Sequence, residues 1–281
     1  MESQEIIARL ERQNYLMEKR YEILKSMICD IYDEVIPQKK VCPICKSEIR
    51  CYIPYGTPKL RYHAQCPVCL GVERERLLAR YLELHWENLA ARKISRGEPV
   101  KLLHFAPEGV FYQHFKDNKN IDYYPVDFNP DFPYHIVKAV DITDIPYPND
   151  YFDLIICFHV LQNVTDEKKA LKEVKRVLGP NGSAIFCDNI NQELEATLED
   201  EKYDTSELRE QYYGNEQYVR GYGRDYIDRL GSVWGRNNIV KYSVDELSAE
   251  EVKKNYLRRG KKSAFIRNRW NHNRGDLMKN E

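Results

Sequence analysis

Between Lys101 and Asp188, short apolar runs alternate with helical spacings and sharp breaks. Leu102-Leu103-His104-Phe105 is one such run, and it stops at Ala106-Pro107-Glu108-Gly109. Tyr123-Tyr124-Pro125-Val126 ends in Asp127, and Ile136 to Val140 ends in Asp141-Ile142. Phe152-Asp153-Leu154-Ile155-Ile156-Cys157 is another clear run. From Asp166 to Leu178, the positions Ala170, Leu171, Val174, Val177 and Leu178 share one helical face. Gly179-Pro180-Asn181-Gly182 predicts the end of that helix, and Ser183 to Cys187 predicts a strand. Short apolar strands separated by helices predict a parallel sheet covered on both faces. Ligands bind beyond the carboxyl ends of such strands, where Asp127 and Asp141 fall.

Upstream, residues 1–36 contain no Gly or Pro and predict one long helix. Ile7, Leu10, Asn14, Met17, Tyr21, Leu24, Ile28, Ile31 and Val35 alternate three and four apart, a heptad pattern with Asn14 at an a position. Two readings stay open: a parallel homodimeric coiled coil in which Asn14 fixes the register, or an amphipathic helix packed on its own chain. Residues 40–72 carry Cys42-Pro-Ile-Cys45 and Cys66-Pro-Val-Cys69. Each pair turns two thiolates to one side, so the two knuckles supply four sulfurs to a tetrahedral Zn²⁺ with no position left for water. That is a structural metal, standing in for the core that a segment this small lacks. Tyr52, Ile53 and Tyr55-Gly56-Thr57-Pro58 predict the hairpin of a zinc ribbon, with Cys51 a bystander. Cys157 and Cys187 lie in predicted strands as core thiols.

Residues 73–98 form a link, with a helix predicted over Glu73 to Ala91. Arg74, Arg76 and Arg80 give it a basic face, expected to be solvated or ion-paired. The sheet domain is expected over 99–267. Within it, the acidic and polar stretch 191–225 reads as a helical insertion or lid. Ile239 to Val244 and Ser263 to Ile266 predict the last strands, around a helix from Ala249 to Leu257. Residues 268–281 are a basic tail, expected to be solvated.

Composition narrows the classes further. The chain has 281 residues, 42% hydrophobic and 31% charged, enough for one good-sized core with appendages. No apolar run reaches the ~18 residues of a membrane span. Charged residues interleave from Glu2 onward where a signal peptide would be apolar, so a cytoplasmic location is expected. A formal net charge of -1 gives no global drive toward nucleic acid.

Several segments act together: Cys42-x-x-Cys45, Cys66-Pro-x-Cys69, Glu73-Arg74-x-Arg76-Leu77-Leu78 and Leu103-His104-Phe105-Ala106-Pro107-Glu108. Asp141-Ile142-Thr143-Asp144-Ile145-Pro146-Tyr147-Pro148, Phe152-Asp153-Leu154-Ile155 and His159-Val160-Leu161 follow. Ala170-Leu171-Lys172-Glu173-Val174-Lys175-Arg176-Val177-Leu178 and Val219-Arg220-x-Tyr222-Gly223-x-Asp225 complete the series. Together they resemble the zinc-ribbon branch of class I S-adenosylmethionine-dependent methyltransferases, of the type-11 group. The resemblance covers residues 40 to 267.

It implies an α/β fold: a Rossmann-like seven-stranded sheet with helices on both faces and an antiparallel last strand, preceded by the ribbon and the long helix. It implies S-adenosylmethionine wrapped at its methionine end by Phe105, Ala106 and Glu108. Asp127 would take the ribose hydroxyls, Asp141 and the Ile142 N–H the adenine, and Phe158 would complete the cofactor wall. His159 would face the sulfonium as the candidate base. Tyr218, Arg220 and Tyr222 would shape the acceptor site. The acceptor is expected to be an O or N nucleophile of a small molecule or glycan. The alternatives are an RNA methyltransferase that grips the backbone with its ribbon, and a catalytically weak cofactor-binding scaffold that dimerises through residues 1–36. The chain departs from the pattern at three places. Ala106-Pro107-Glu108 replaces the glycine-rich first loop, Gln162-Asn163 replaces Glu-His, and Gln217-Tyr218 replaces Asp-His. The last two remove proton acceptors from the acceptor side.

Overall fold

A computed structural model of the chain describes residues 39–56, 60–129, 138–244, 247–254 and 264–269, with scattered positions between 12 and 31. The chain divides into two units. One is Met1–Ala79 with Ala249–Leu257, the other Arg80–Ser248 with Arg258–Glu281.

In the first unit, β1 (Lys40–Val41) pairs antiparallel with β2 (Glu48–Ile49), and β3 (Ile53–Tyr55) with β4 (Arg61–Gln65). Helix α1 (Glu73–Ile94) begins here, and Glu75 accepts the Val72 backbone N–H at 2.6 Å, half of a capping box. The expected basic face is not one surface. Arg74 pairs with Glu75 at 2.8 Å, Arg80 with Glu83 at 2.9 Å, and Arg76 is fully buried. Of the heptad positions, Met17, Tyr21, Leu24, Ile28 and Ile31 are helical, and Met17, Tyr21, Leu24 and Ile31 are exposed in the single chain. Ile7, Leu10, Asn14 and Val35 lie outside the described residues, as does the tail 270–281.

The second unit is built on a sheet of β5 (Val100–Phe105), β6 (Ile121–Asp127), β7 (Lys138–Ala139), β8 (Phe152–Phe158), β9 (Leu178–Cys187), β10 (Ile239–Ser243) and β11 (Ala264–Arg269). Their order is β10-β11-β9-β8-β5-β6-β7. The strands from β9 to β7 run parallel, while β11 is antiparallel to both β9 and β10. The five parallel strands make a Rossmann-like α/β sheet. Strand β8 shows why: Leu154 to Phe158 are all buried, as a strand covered on both faces requires.

Helices α2 (Gly109–Phe115), α3 (Glu167–Val177), α4 (Ser206–Tyr213) and α5 (Tyr226–Trp234) belong to this unit, and the short α6 (Ala249–Lys254) to the first. Helix α3 buries Ala170, Leu171, Val174 and Val177, and Asp166 caps it by accepting the Lys169 N–H at 2.9 Å. The helix ends at Val177, and Gly179 to Gly182 loop out where the register of β9 on β8 shifts, between the Phe152–Leu178 and Leu154–Ser183 pairs, so the regular ladder starts at Ser183. A Cβ on Gly182 would sit 2.6 Å from Leu178 Cδ1, so a side chain there would force Leu178 to move. No helix among the described residues is long and apolar enough to cross a membrane.

Candidate active site and metal centre

Strand β5 leads to β6 and β7 on one side, and the chain then returns to β8 and β9 on the other. The switch point lies between β5 and β8, where open α/β sheets place ligands. Both strands end on a non-glycine residue with left-handed backbone: Ala106 at φ 45° and His159 at φ 54°. Such a conformation costs about 1–3 kcal/mol and gathers at functional sites. Each is held by its own amide, Ala106 N–H donating to Val126 O at 2.8 Å and His159 N–H to Cys187 O at 2.7 Å. Phe105 and Phe158, the residues before these turns, are buried.

The Glu108 carboxylate is tethered from below. Its Oε2 lies 3.2 Å from His104 Nε2, while His104 Nδ1 lies 3.0 Å from the Tyr123 hydroxyl. His104 is fully buried. Burial, with Glu108 next in weight, pushes the Tyr123 phenol well above its usual range. His104 was not among the sequence candidates. Its signal was a polar residue inside the apolar run Leu102 to Phe105, whose ring nitrogens must find partners when buried.

Asp127 and Asp141 are organised alike. Each accepts the backbone N–H two residues on, Asn129 at 2.9 Å and Thr143 at 2.7 Å. These Asx turns orient both carboxylates through one oxygen each. Ile142 is buried beside Asp141.

Beyond His159, both ring nitrogens of which are shielded from solvent, neutral residues stand where the resemblance implies acids and bases, and they have structural uses. Gln162 is buried, its Oε1 accepting the Asn189 N–H at 3.0 Å and its carbonyl the Val219 N–H at 2.8 Å. Asn163 donates to the His159 carbonyl at 2.9 Å, and Asn189 donates to the Tyr218 hydroxyl at 3.2 Å. Tyr218 therefore stands beside Asn189, two residues beyond the carboxyl end of β9.

Arg220 and Tyr222 are taken up inside the domain rather than presented to a ligand. Arg220 donates to Leu161 O and Val164 O at 2.6 Å each, to Thr165 O at 3.0 Å and to Glu199 at 2.6 Å. Tyr222 donates to Glu167, which also accepts from Arg229 at 2.8 Å. The stretch expected as a lid is pinned by the same contacts. Leu198 and Gly221 exchange backbone hydrogen bonds at 2.9 Å, and Thr197 donates to Asp225 at 2.7 Å. A Cβ on Gly223 would lie 2.5 Å from the Ala196 backbone, so the close packing of these two segments needs glycine there.

Asp188, immediately after β9, was also missed. It is fully buried, its Oδ2 accepts from Tyr226 at 2.6 Å, and its Oδ1 has no partner among the described residues. Burial pushes its pKa up to about 7, opposed by the Tyr226 hydrogen bond and reinforced by Glu167. A carboxyl that binds its proton more tightly folded than unfolded adds stability that is fully present below about pH 4 and lost by about pH 7. Asp188→Asn is therefore expected to stabilise the protein by on the order of 3 kcal/mol at pH 8 and to be nearly neutral at pH 4. Thermal unfolding at the two pH values checks this, and a variant less stable than wild type at pH 8 would refute it.

In the first unit, the Sγ atoms of Cys42, Cys45, Cys66 and Cys69 lie within 4.8 Å of one another. Cys42 and Cys69 are 3.8 Å apart, and Cys45 and Cys66 are 3.9 Å apart. A tetrahedron with Zn–S near ~2.3 Å has sulfurs about 3.8 Å apart, so the donor set suits that ion. The two knuckles are built alike. Cys42 N–H donates to Ser47 O at 3.0 Å and Lys46 N–H to Cys42 O at 2.9 Å; Cys66 N–H donates to Gly71 O at 2.9 Å and Leu70 N–H to Cys66 O at 3.0 Å. Lys46 and Leu70, just past each second cysteine, are both left-handed.

Comparison with known proteins bears on the sheet unit. Residues 108–186 match the family described as methyltransferase domain. The ubiquinone/menaquinone biosynthesis C-methyltransferase UbiE of Vibrio vulnificus is 48% identical over 54 residues, 19% of this chain and 20% of that protein. The demethylmenaquinone methyltransferase of Clavibacter sepedonicus is 40% identical over 48 residues, 17% of this chain and 20% of that one. The chain thus spans about a fifth of the length of the curated relatives it matches. Among solved structures, the YcgJ protein from Bacillus subtilis is similar with a TM-score of 0.40 and 16% identity, over 67% of this chain and 100% of that one. The matched segment runs from Glu108 to Phe186 and holds Asp127, Asp141 and His159; the chain carries a methyltransferase domain.

Proposed function

We propose that the second unit binds S-adenosylmethionine across the crevice between β5 and β8 and transfers its methyl group to a small-molecule or glycan acceptor. The observation that carries this reading is the pair of left-handed strand ends, Ala106 and His159, flanking the switch point, with Asp127 and Asp141 beyond the next two strands out. The donor set suits the cofactor. Asp127 has a carboxylate oriented by Asn129 and able to accept from ribose hydroxyls. Asp141 and the Ile142 N–H match the donor and acceptor of an adenine edge. Glu108, held by His104, would accept from the ammonium at the methionine end, and Phe105 and Phe158 supply apolar walls.

When bound, the cofactor supplies a methyl carbon activated by the adjacent sulfonium. The chain's own task is to align the acceptor, exclude water and take up a proton where one is released. His159 is the group suited to the proton, and Tyr218 with Asn189 would orient the acceptor. The names of the matched relatives add carbon to the oxygen and nitrogen nucleophiles expected from the sequence. We also propose that Cys42, Cys45, Cys66 and Cys69 hold a structural Zn²⁺, on the sulfur spacing above.

Calorimetric titration of S-adenosylmethionine into the zinc-loaded full chain tests the cofactor site. Wild type is expected to bind, and Asp127→Ala to bind about 10–100-fold more weakly, the loss of about 1.5–3 kcal/mol for a hydrogen bond to a charged group. Absence of binding by the wild type would remove the methyltransferase reading. Equal binding by the variant would remove only the ribose assignment.

A further inference from the structure

The two zinc knuckles match in backbone but not in what lies behind them. The carbonyl that closes the second, Gly71 O, receives the Cys66 N–H and also Arg76 Nη1 at 3.3 Å. The same Nη1 donates to Ala64 O at 2.5 Å, and Nη2 to His63 O at 3.4 Å. One guanidinium therefore ties the chain two residues before Cys66 to the chain two residues after Cys69. Its carbon lies 3.9 Å from the centroid of the Tyr52 ring, which covers one face of the fork. Arg76 and Tyr52 are both buried, as are Cys42 and Cys66, whose sulfurs act on the guanidinium along with the Glu73 carboxylate. Among the described residues, Ser47 O, the matching carbonyl of the first knuckle, has no second donor of this kind.

Placing a guanidinium in such a position is expensive unless an anion accompanies it. Four thiolates around one Zn²⁺ leave a net charge of two minus, itself costly to bury. Each charge answers the other. We infer that Arg76 is the positioning residue and counter-ion of the zinc centre, closing the second knuckle through Ala64 O and Gly71 O and offsetting the tetrathiolate charge. This rests on the zinc reading above. It makes the centre tight and inert, as a purely structural metal requires. Arg76 thus joins the metal site through the ligands' surroundings, as outer-shell groups do.

The test uses the full chain as wild type, Arg76→Gln and Arg76→Lys, each loaded with zinc and competed against a chromophoric chelator. Metal analysis of the wild type comes first: less than one zinc per chain would overturn the zinc reading itself, separately from the role of Arg76. With zinc present, Arg76→Gln is expected to lose about 10–100-fold in zinc affinity, the usual effect of removing an outer-shell partner. Arg76→Lys keeps the charge without the fork and is expected to recover a large part of that loss. Arg76→Gln within threefold of wild type would overturn the inference. So would equal losses in the two variants, because the effect would then belong to packing rather than charge. Should Arg76→Gln fail to take up zinc, Arg76→Lys decides alone: affinity within tenfold of wild type supports the counter-ion role, and a complete loss overturns it.

Discussion

Stripping the proposed Zn²⁺ with a chelator is expected to unfold the segment around the four cysteines while leaving the amides of β5, β8 and β9 protected. This segment's own resources are slight. Its strands are two, two, three and five residues long. Its buried apolar residues are few besides the cysteines: Ile44, Ile49, Tyr52, Ile53, Ala64 and Val72. Segments below about 40 residues seldom hold a fold on such a core without a metal or disulfide. In small zinc modules the ion contributes on the order of 10–16 kcal/mol. Without it, four sulfurs within 4.8 Å of one another and a buried guanidinium would lose the charge that makes their burial tolerable. The sheet strands depend on no such ion, since Leu154 to Cys157 and their neighbours pack as a continuous apolar layer. Hydrogen exchange read by peptide, before and after chelation, distinguishes the outcomes. Ribbon amides that stay protected in demonstrably zinc-free protein would show that the fold does not rest on the metal.

Arg220→Ala is expected to lower the melting temperature by about 10 °C. The guanidinium satisfies the carbonyls of Leu161, Val164 and Thr165 and pairs with Glu199. Truncation leaves buried acceptors without donors at about 1–3 kcal/mol each, and the loss of one partner of a buried pair is put at about 3–5 kcal/mol. Glu199 softens the loss, because it is partly exposed and keeps Arg229 at 2.8 Å. A net loss of about 3–4 kcal/mol corresponds to roughly 10 °C for a domain of this size. Calorimetry gives the melting temperature, and titration well below it gives the cofactor affinity of the folded variant. The structure assigns Arg220 to the domain's interior, so that affinity should hold. A change of less than about 3 °C accompanied by lost ligand binding would return Arg220 to the binding site.

These expectations separate what could be read along the chain from what could not. The strands from Leu102, Tyr123, Phe152 and Ser183 were legible because each apolar run is short and bounded, and burial on both faces holds those from Leu102, Phe152 and Ser183 in the sheet. The helix over Ala170 to Leu178 was legible from its one apolar face, and its end from Gly179 to Gly182, which loop out between the Phe152–Leu178 and Leu154–Ser183 pairs. The cysteine knuckles were legible because their geometry depends on spacing within a few residues. The strand-end carboxylates Asp127 and Asp141 were equally local, each aimed by an amide two residues away.

The arginines show the other side. Arg74, Arg76 and Arg80 look equivalent along helix α1, yet only Arg76 is buried beneath a cysteine knuckle. Arg220 and Tyr222 sit in a motif that points toward an acceptor, yet the segments folding back at Leu198 and Glu167 enclose them. The sequence alone determined the parallel sheet, the four-sulfur centre and the carboxylates at the strand ends, because periodicity and short spacing are local properties of a chain. Tertiary structure alone decided which charges lie in water and which lie buried, which groups tether Glu108, and where Asp188 holds its proton. Burial is set by residues distant in sequence, and a side chain's chemistry depends on what surrounds it.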